Sequence, residues 1–150
     1  TSPSFPTSSE PTRSSMRRIS AASLATSVEV WIDLTVDDAE GVRDFYAEVV
    51  GWTPSQVDMG GYSDYSMNTA ESGTTITGVC HARGVNKEMP PVWMPYFTVA
   101  DLDASIEKCT ENGGVIVVPA RTLGEGRFCV VKDPAGAVAA LYELGVKSEE

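Results

Sequence analysis

Alternating apolar and polar residues mark the first ordered segment of the chain. Between Val28 and Val36, every second position from Val30 onward is apolar, and Ile32 and Leu34 continue the series. Such alternation predicts a strand with one face against a helix-covered core and the other toward more polar surroundings.

A helix is predicted directly after this strand. Asp37 starts it, Glu40 stands at the spacing of a capping box, and Gly51 ends it. Between these points apolar residues recur at helical spacing, at Val42, Phe45, Tyr46, Val49 and Val50. Three strands are predicted next, near 53–58, 62–70 and 74–82, because glycine-containing turns separate short segments there.

The same order of elements is predicted a second time. A strand from Val92 to Val99 leads into a helix capped by Asp101, and strands follow near 115–123, 126–132 and 137–144. Asp38 to Gly51 and Asp101 to Gly114 have equal spacing. The sequence therefore predicts an α+β fold, in which two βαβββ modules form one curved, cup-shaped mixed sheet with helices outside. The modules are placed at 28–82 and 92–144, in a single domain over 28–146 with a tail at 147–150.

The N-terminal segment 1–27 is rich in Ser, Thr, Pro and Ala, and disorder is predicted for it. From Met16 it is basic, Ser-rich and free of acidic residues, as transit peptides are. An organelle is therefore the alternative to a cytoplasmic location. The cytoplasm is favoured by an odd number of cysteines without metal-like spacing, at Cys80, Cys109 and Cys129.

Charge and composition narrow the classes of partner. The net charge is −10, and an acidic surface repels phosphate backbones, which argues against nucleic acid. No apolar run approaches the roughly 18 residues that span a bilayer, which argues against membrane insertion.

The local sequence resembles one family throughout its ordered part. Trp31-Ile32-Asp33-Leu34, Asp38, Phe45-Tyr46 and Gly51-Trp52 resemble the opening of many members of the glyoxalase/bleomycin-resistance (vicinal oxygen chelate) superfamily. The second half is similar to its glyoxalase-like antigen subgroup at Trp93, Tyr96-Phe97, Val99, Asp101, Asp103, Gly113-Gly114, Pro119, Gly126-Arg127 and Asp133-Pro134-Ala135-Gly136-Ala137. The resemblance implies the duplicated βαβββ fold, and it implies that a homodimer is common among such proteins.

The resemblance also implies a metal ion held by four inward-facing residues, and this chain lacks suitable ligands. The four positions fall on Trp31, Met94, Ala140 and the neighbourhood of Gly78, none of which supplies a hard-metal ligand. A shift of one residue brings Asp33 inward but leaves the other three strands unchanged. His81, with Cys80 beside it, makes an incomplete site. No metal and no other cofactor is therefore predicted.

The predicted lining of the cup suits a flat, moderately polar organic molecule. If alternation holds, the lining consists of Glu29, Trp31, Asp33, Thr35, Met94, Tyr96, Thr98, Val138, Ala140 and Tyr142. Arg127 and Arg121 are candidates to hold an anionic group of the ligand, and each is equally compatible with a surface charge.

Three functions are compatible with such a cup. The first is metal-independent binding of an aromatic or polyketide-like molecule, in the manner that the bleomycin-resistance resemblance implies. The second is a metal-free lyase or isomerase, with Asp33 as general base and Tyr96 or Tyr142 moving a proton. A structural role for Asp33, as a hydrogen-bonded carboxylate that helps to fix the fold, is favoured over the catalytic one, because an Asp at this position belongs to the pattern of the subgroup that the chain resembles. The third, a metal-dependent glyoxalase or dioxygenase, is disfavoured by the missing ligands.

Overall fold

The computed structural model describes residues 30–145, apart from the side chain of Val85. The predicted disordered segment, the C-terminal tail and the candidate ligand residue Glu29 lie outside the described residues.

The chain folds into two successive βαβββ modules, as the sequence predicts. The first consists of β1 (Val30–Val36), α1 (Ala39–Val50), β2 (Thr53–Asp58), β3 (Ser63–Asn68) and β4 (Thr75–His81). A connection with a 3₁₀ turn at Gly84–Asn86 leads to the second module. That module consists of β5 (Trp93–Thr98), α2 (Leu102–Glu111), β6 (Val115–Leu123), β7 (Gly126–Lys132) and β8 (Val138–Glu143).

All eight strands belong to one mixed sheet, in the order β2-β3-β4-β1-β5-β8-β7-β6. The modules meet edge to edge at the sheet's centre, where β1 and β5 run antiparallel. Within the modules, β1 pairs with β4 and β5 pairs with β8 in parallel. The predicted α+β class and its mixed sheet are therefore confirmed.

The start of α1 differs from the prediction. Asp38, not Asp37, caps the helix, and its carboxylate accepts a hydrogen bond from the backbone N–H of Gly41 at 2.9 Å. Glycine at position 41 makes this possible, since a Cβ there would lie 2.3 Å from an Asp38 carboxylate oxygen. The predicted capping box with Glu40 is wrong. In α2, by contrast, Asp101 caps the helix as predicted, through the N–H of Ala104.

The helices cover only one of the two faces of the sheet. Both helices pack on one face, which we call the outer face, and Ala39 of α1 joins Tyr65, Met67 and Val79 in a buried cluster there. Because α1 covers only the C-terminal half of β1, Leu34 is buried while Val30 and Ile32 stay exposed. The prediction that the whole apolar face of β1 lies in a core is therefore wrong for its first half.

Candidate functional site

The inner face of the sheet, opposite the helices, carries most of the predicted site residues. Directly paired residues point to the same face of a sheet. Trp31 pairs with Tyr96 and Asp33 with Met94 across the two modules. Tyr96 in turn pairs with Ala140, and Thr98 with Tyr142, on β8. The structure thus brings the predicted residues of β1, β5 and β8 together on one face.

In the second module this inner face is a packed apolar core. Its buried cluster holds Met89, Met94, Tyr96, Val118, Phe128, Val130, Ala140 and Tyr142, and Trp31 and Val138 pack against it. Four of the candidate residues are therefore core side chains: Met94, Tyr96, Ala140 and Tyr142.

The connection between the modules supplies part of that core. Met89 is only 7% exposed and packs within the cluster, although it belongs to no strand or α-helix. The neighbouring Glu88 forms an ion pair with Arg121 of β6. Arg121, a candidate for holding an anionic ligand, thus ties this connection to the edge strand of the second module. Sequence reasoning missed Met89, because an isolated apolar residue in a loop has no periodicity to reveal it.

The inner face of the first module is polar and equally buried. It carries Asp33, Thr35, Ser66 and Cys80, all of which are buried. The carboxylate of Asp33 lies directly over Gly78, its cross-strand partner, where a Cβ would stand 2.4 Å from Asp33 Oδ1. Gly78 therefore makes the space that Asp33 occupies.

A buried carboxylate that the sequence did not single out lies at the end of this face. Asp64 is fully buried, and its Oδ1 accepts a hydrogen bond from the backbone N–H of His81 at 2.8 Å. The same oxygen lies 3.3 Å from His81 Nδ1. The rings of Tyr62 and Tyr65 flank the imidazole. His81, weighed above as a metal ligand, is thus held by a carboxylate and two aromatic rings.

The positions at which the resemblance implies metal ligands do not fit a metal ion. Trp31, Gly78, Met94 and Ala140 occupy them, and none offers an oxygen or imidazole donor. Among residues 30–145, no three His, Cys, Asp or Glu side chains are grouped so as to hold an ion. No chemical step is therefore derived through a metal at this face.

Two other predicted residues use their polar groups in hydrogen bonds within the fold. Tyr142 donates its hydroxyl hydrogen to the carbonyl oxygen of Leu123 at 3.1 Å, and burial raises the pKa of its phenol. Arg127 precedes the inner-facing Phe128 on β7 and lies on the outer face, where it forms two hydrogen bonds with Asp103 of α2, at 2.8 and 3.2 Å. Hydrogen bonding to Asp103 raises the pKa of Arg127 and lowers that of Asp103. Arg127 therefore lies away from the inner face.

No helix within the described part of the chain has the length and apolar character needed to cross a bilayer.

Comparisons with known proteins agree with this architecture. The family model described as "Glyoxalase/Bleomycin resistance protein/Dioxygenase superfamily" matches residues 30–141. CFP32 of Mycobacterium bovis, which its name assigns provisionally to the glyoxylases, is 32% identical over 115 residues, which are 75% of this chain and 44% of CFP32. DnrV of Streptomyces peucetius, named as an anthracycline biosynthesis protein, is 33% identical over 138 residues, covering 81% of this chain and 49% of DnrV. The chain thus spans about half the length of these relatives.

Among solved structures, methylmalonyl-CoA epimerase from Mycobacterium tuberculosis is similar with a TM-score of 0.48 and 20% identity. The match covers 88% of this chain and 97% of the epimerase.

Proposed function

The chain belongs to the glyoxalase/bleomycin resistance protein/dioxygenase superfamily, and from this premise we propose that it binds a small aromatic or polyketide-like molecule at the inner face, without a metal ion. The observation that carries this proposal is the chemistry of that face, which has aromatic side chains and lacks metal-binding groups at the positions where the resemblance implies metal ligands. Side chains such as Tyr96 and Phe128 form its second half, and the positions of the implied metal ligands hold Trp31, Gly78, Met94 and Ala140.

The composition of the two halves supports binding of an organic ring system. Small-molecule sites are mostly apolar and aromatic, with a few polar groups that fix orientation. Here Trp31 and Tyr96 offer aromatic surface, and Asp33 and Thr35 lie beside them on the same face. The relative DnrV, named for the biosynthesis of anthracyclines, adds support for a planar polycyclic ligand.

Ligand entry requires a side chain to leave the inner face, and Met89 is the one best placed to do so. It comes from a connection rather than from the sheet, and an ion pair between Glu88 and Arg121 joins that connection to β6. Methionine is unbranched and adapts easily to new surroundings. We infer that the ligand takes the place of Met89. Because the protein can then bind only after Met89 has moved out of the core, the population with Met89 packed inside lowers the apparent affinity for the ligand.

A direct test is a titration with the anthracycline daunorubicin, followed by tryptophan fluorescence and calorimetry in the presence of EDTA. We expect saturable binding by the wild type and several-fold tighter binding by Met89→Ala, because the variant has no side chain to displace. Met59→Ala, in an exposed turn, is the matched control and should bind as the wild type does.

Two results would overturn the proposal. One is the absence of binding by both the wild type and Met89→Ala up to the solubility of daunorubicin. The other is binding that EDTA removes and that Ni²⁺ or Mn²⁺ restores, because it would require a metal ion at a face without suitable ligands.

A metal-free lyase or isomerase is the second candidate, and the placement of Asp33 favours it. Its carboxylate is buried at the junction of the modules, opposite Met94 and next to the Trp31–Tyr96 pair. Tyr142 is less suited to moving a proton, since its hydroxyl is bonded to a backbone carbonyl. Asp33→Asn separates the two functions: an enzyme loses turnover of its substrate, whereas a binding protein keeps its affinity for daunorubicin.

A further inference from the structure

We propose that the indole N–H of Trp31 donates a hydrogen bond to a carbonyl oxygen of the molecule bound at the inner face, and that the preferred ligand is therefore an uncharged aromatic ketone. This preference rests on the proposed function, since it concerns the same face and names the class of its ligand. Trp31 is then a binding residue that selects the ligand.

The indole nitrogen of Trp31 is buried without a hydrogen-bond acceptor. Solvent does not reach its Nε1, and no atom of the described part of the chain accepts a hydrogen bond from it. By comparison, the indole N–H of Trp93 donates to the hydroxyl oxygen of Tyr46 at 3.0 Å. A buried donor without a partner costs free energy, so such groups are rare and call for an explanation. Because an indole N–H can only donate, the atom that completes Trp31 must be an acceptor.

Trp31 lies where a molecule bound at the inner face would meet its N–H. It faces inward opposite Tyr96 and packs against the buried cluster that includes Met89, the side chain that we expect the ligand to displace. It also occupies one of the four positions at which the resemblance implies metal ligands. Metal ions and hydrogen-bond donors both interact favourably with the electron-rich oxygen of a carbonyl group. This chain thus carries a donor for that oxygen at a position where it lacks a metal ligand.

The surroundings of Trp31 favour an uncharged acceptor over an anion. Asp33 is buried on the same face of β1, and two residues along a strand place the side chains about 7 Å apart. Burial of a second negative charge beside Asp33 is unfavourable. No Lys or Arg side chain among the described residues is buried to offset it. Arg127 lies on the outer face, and Arg121 is paired with Glu88. A ketone oxygen therefore suits this site better than a carboxylate or a phosphate.

The surface beside Trp31 suits the flat face of an aromatic ring. Tyr96 is its direct cross-strand partner, and the ring centroids of Tyr96 and Phe128 lie 6.4 Å apart. Aromatic rings pack favourably against one another in offset and tilted arrangements. The oxygen of a planar aryl ketone lies in the plane of its rings, and a donor approaches it close to that plane. Such a ligand can pack on the aromatic side chains while its edge accepts the hydrogen bond from Trp31.

A pair of tricyclic probes separates the carbonyl group from the rings. Fluorenone carries a ketone oxygen, and fluorene has the same ring framework without it. Equilibrium dialysis of the full-length chain in EDTA measures the affinity for each. We expect the wild type to bind both, and Trp31→Phe to lower the ratio of fluorenone affinity to fluorene affinity about threefold to tenfold, as loss of one hydrogen bond does. The ratio cancels the loss of ring contacts, which affects both probes.

Trp52→Phe is the matched control, because it makes the same substitution in the indole that stacks on Tyr46 of α1. It should keep the ratio within about twofold of the wild-type value. Benzothienylalanine in place of Trp31 keeps the bicyclic shape and replaces the N–H by sulfur, so it should lower the ratio without changing the melting temperature. In infrared spectra, the carbonyl stretch of bound fluorenone should lie at lower frequency in the wild type and in Trp52→Phe than in Trp31→Phe, because a hydrogen bond weakens the C=O bond.

Three results would contradict the proposed hydrogen bond. An unchanged ratio in the benzothienylalanine variant, with fluorenone still bound, would remove the role of Trp31 and leave metal-free binding at the inner face intact. An equal fall of the ratio in Trp52→Phe would place the probes instead in a recess of about 260 Å³ on the outer side of β1, which Trp52 helps to line. Failure of the wild type and of Met89→Ala to bind fluorenone, fluorene or daunorubicin would overturn the proposed function together with the hydrogen bond.

Discussion

In the first module the inner face of the sheet carries Asp33, Thr35 and Ser66, whereas the equivalent region of the second module carries Met94, Tyr96 and Phe128. Both sets are buried, and both belong to the same βαβββ order of elements. Buried polar groups need hydrogen-bonding partners, while apolar groups are stabilised by packing and exclusion of water. The two modules therefore keep the same fold with different kinds of interaction.

This difference bears on function. A metal site shared by two modules needs ligands from both, and a half built of Met94, Tyr96 and Ala140 supplies none. The same asymmetry suits an organic ligand, because an apolar half can hold a ring system while a polar half fixes its orientation. The two modules thus share one fold, while the side chains on their inner faces differ in chemistry.

The largest effect is expected from breaking the apolar half. Phe128→Ala removes a fully buried ring from the core of the second module, which should lower the free energy of unfolding by about 3–5 kcal/mol. Urea denaturation, monitored by circular dichroism, measures the loss. Val115→Ala, at an exposed position of the same module, should cost about 1 kcal/mol or less. Similar losses in the two variants would mean that the inner face is not the core of that module.

A smaller effect is expected from crowding the polar half. Gly78→Ala places a methyl group against the Asp33 carboxylate, and we expect a loss of about 1–3 kcal/mol in the free energy of unfolding. Because the clash requires the carboxylate, Gly78→Ala should cost clearly less in an Asp33→Ala background, with a coupling of about 1 kcal/mol or more. Strictly additive effects would show that Asp33 does not rest against Gly78 in solution.

The sequence predicted the elements well because their signals are local. Alternation and glycine turns place β2 at the predicted 53–58 and β7 at 126–132, and Asp101 caps α2 as expected. Capping was less certain where two candidates stood side by side. At Asp37 and Asp38, the choice depends on the missing side chain of Gly41.

Burial was harder to predict, because it depends on what packs against an element. The apolar pattern of α1 marks one stripe, yet only part of that stripe contacts the sheet: Val42 and Tyr46 pack, while Phe45 and Val49 remain exposed. Met89 is the opposite case, a loop residue that tertiary packing buries. Periodicity gives the direction of a side chain, and it does not reveal whether another element covers it.

The smallest effect is expected from raising the pH, and it acts through two groups of the second module. Burial raises the pKa of the Tyr142 phenol in the second module, so the folded chain holds this proton more tightly than the unfolded chain does. The resulting stability is fully present below the ordinary tyrosine pKa of about 10 and is lost as the pH rises through the folded value. Burial raises the pKa of Cys129 in the same way.

We therefore expect the free energy of unfolding to fall above about pH 9, with each group adding less than about 1.4 kcal/mol per pH unit to the slope. Tyr142→Phe should flatten that slope, because a phenyl ring has no proton to lose. Urea denaturation at a series of pH values measures this slope. Tyr142→Phe also removes the hydrogen bond to the Leu123 carbonyl, but below the pH at which the phenol titrates that loss lowers the free energy of unfolding by the same amount at every pH. The lost hydrogen bond therefore does not change the slope. Equal slopes for the wild type and Tyr142→Phe would mean that the phenol titrates alike in folded and unfolded chains. Any loss of stability at alkaline pH would then have to come from other groups, such as Cys129.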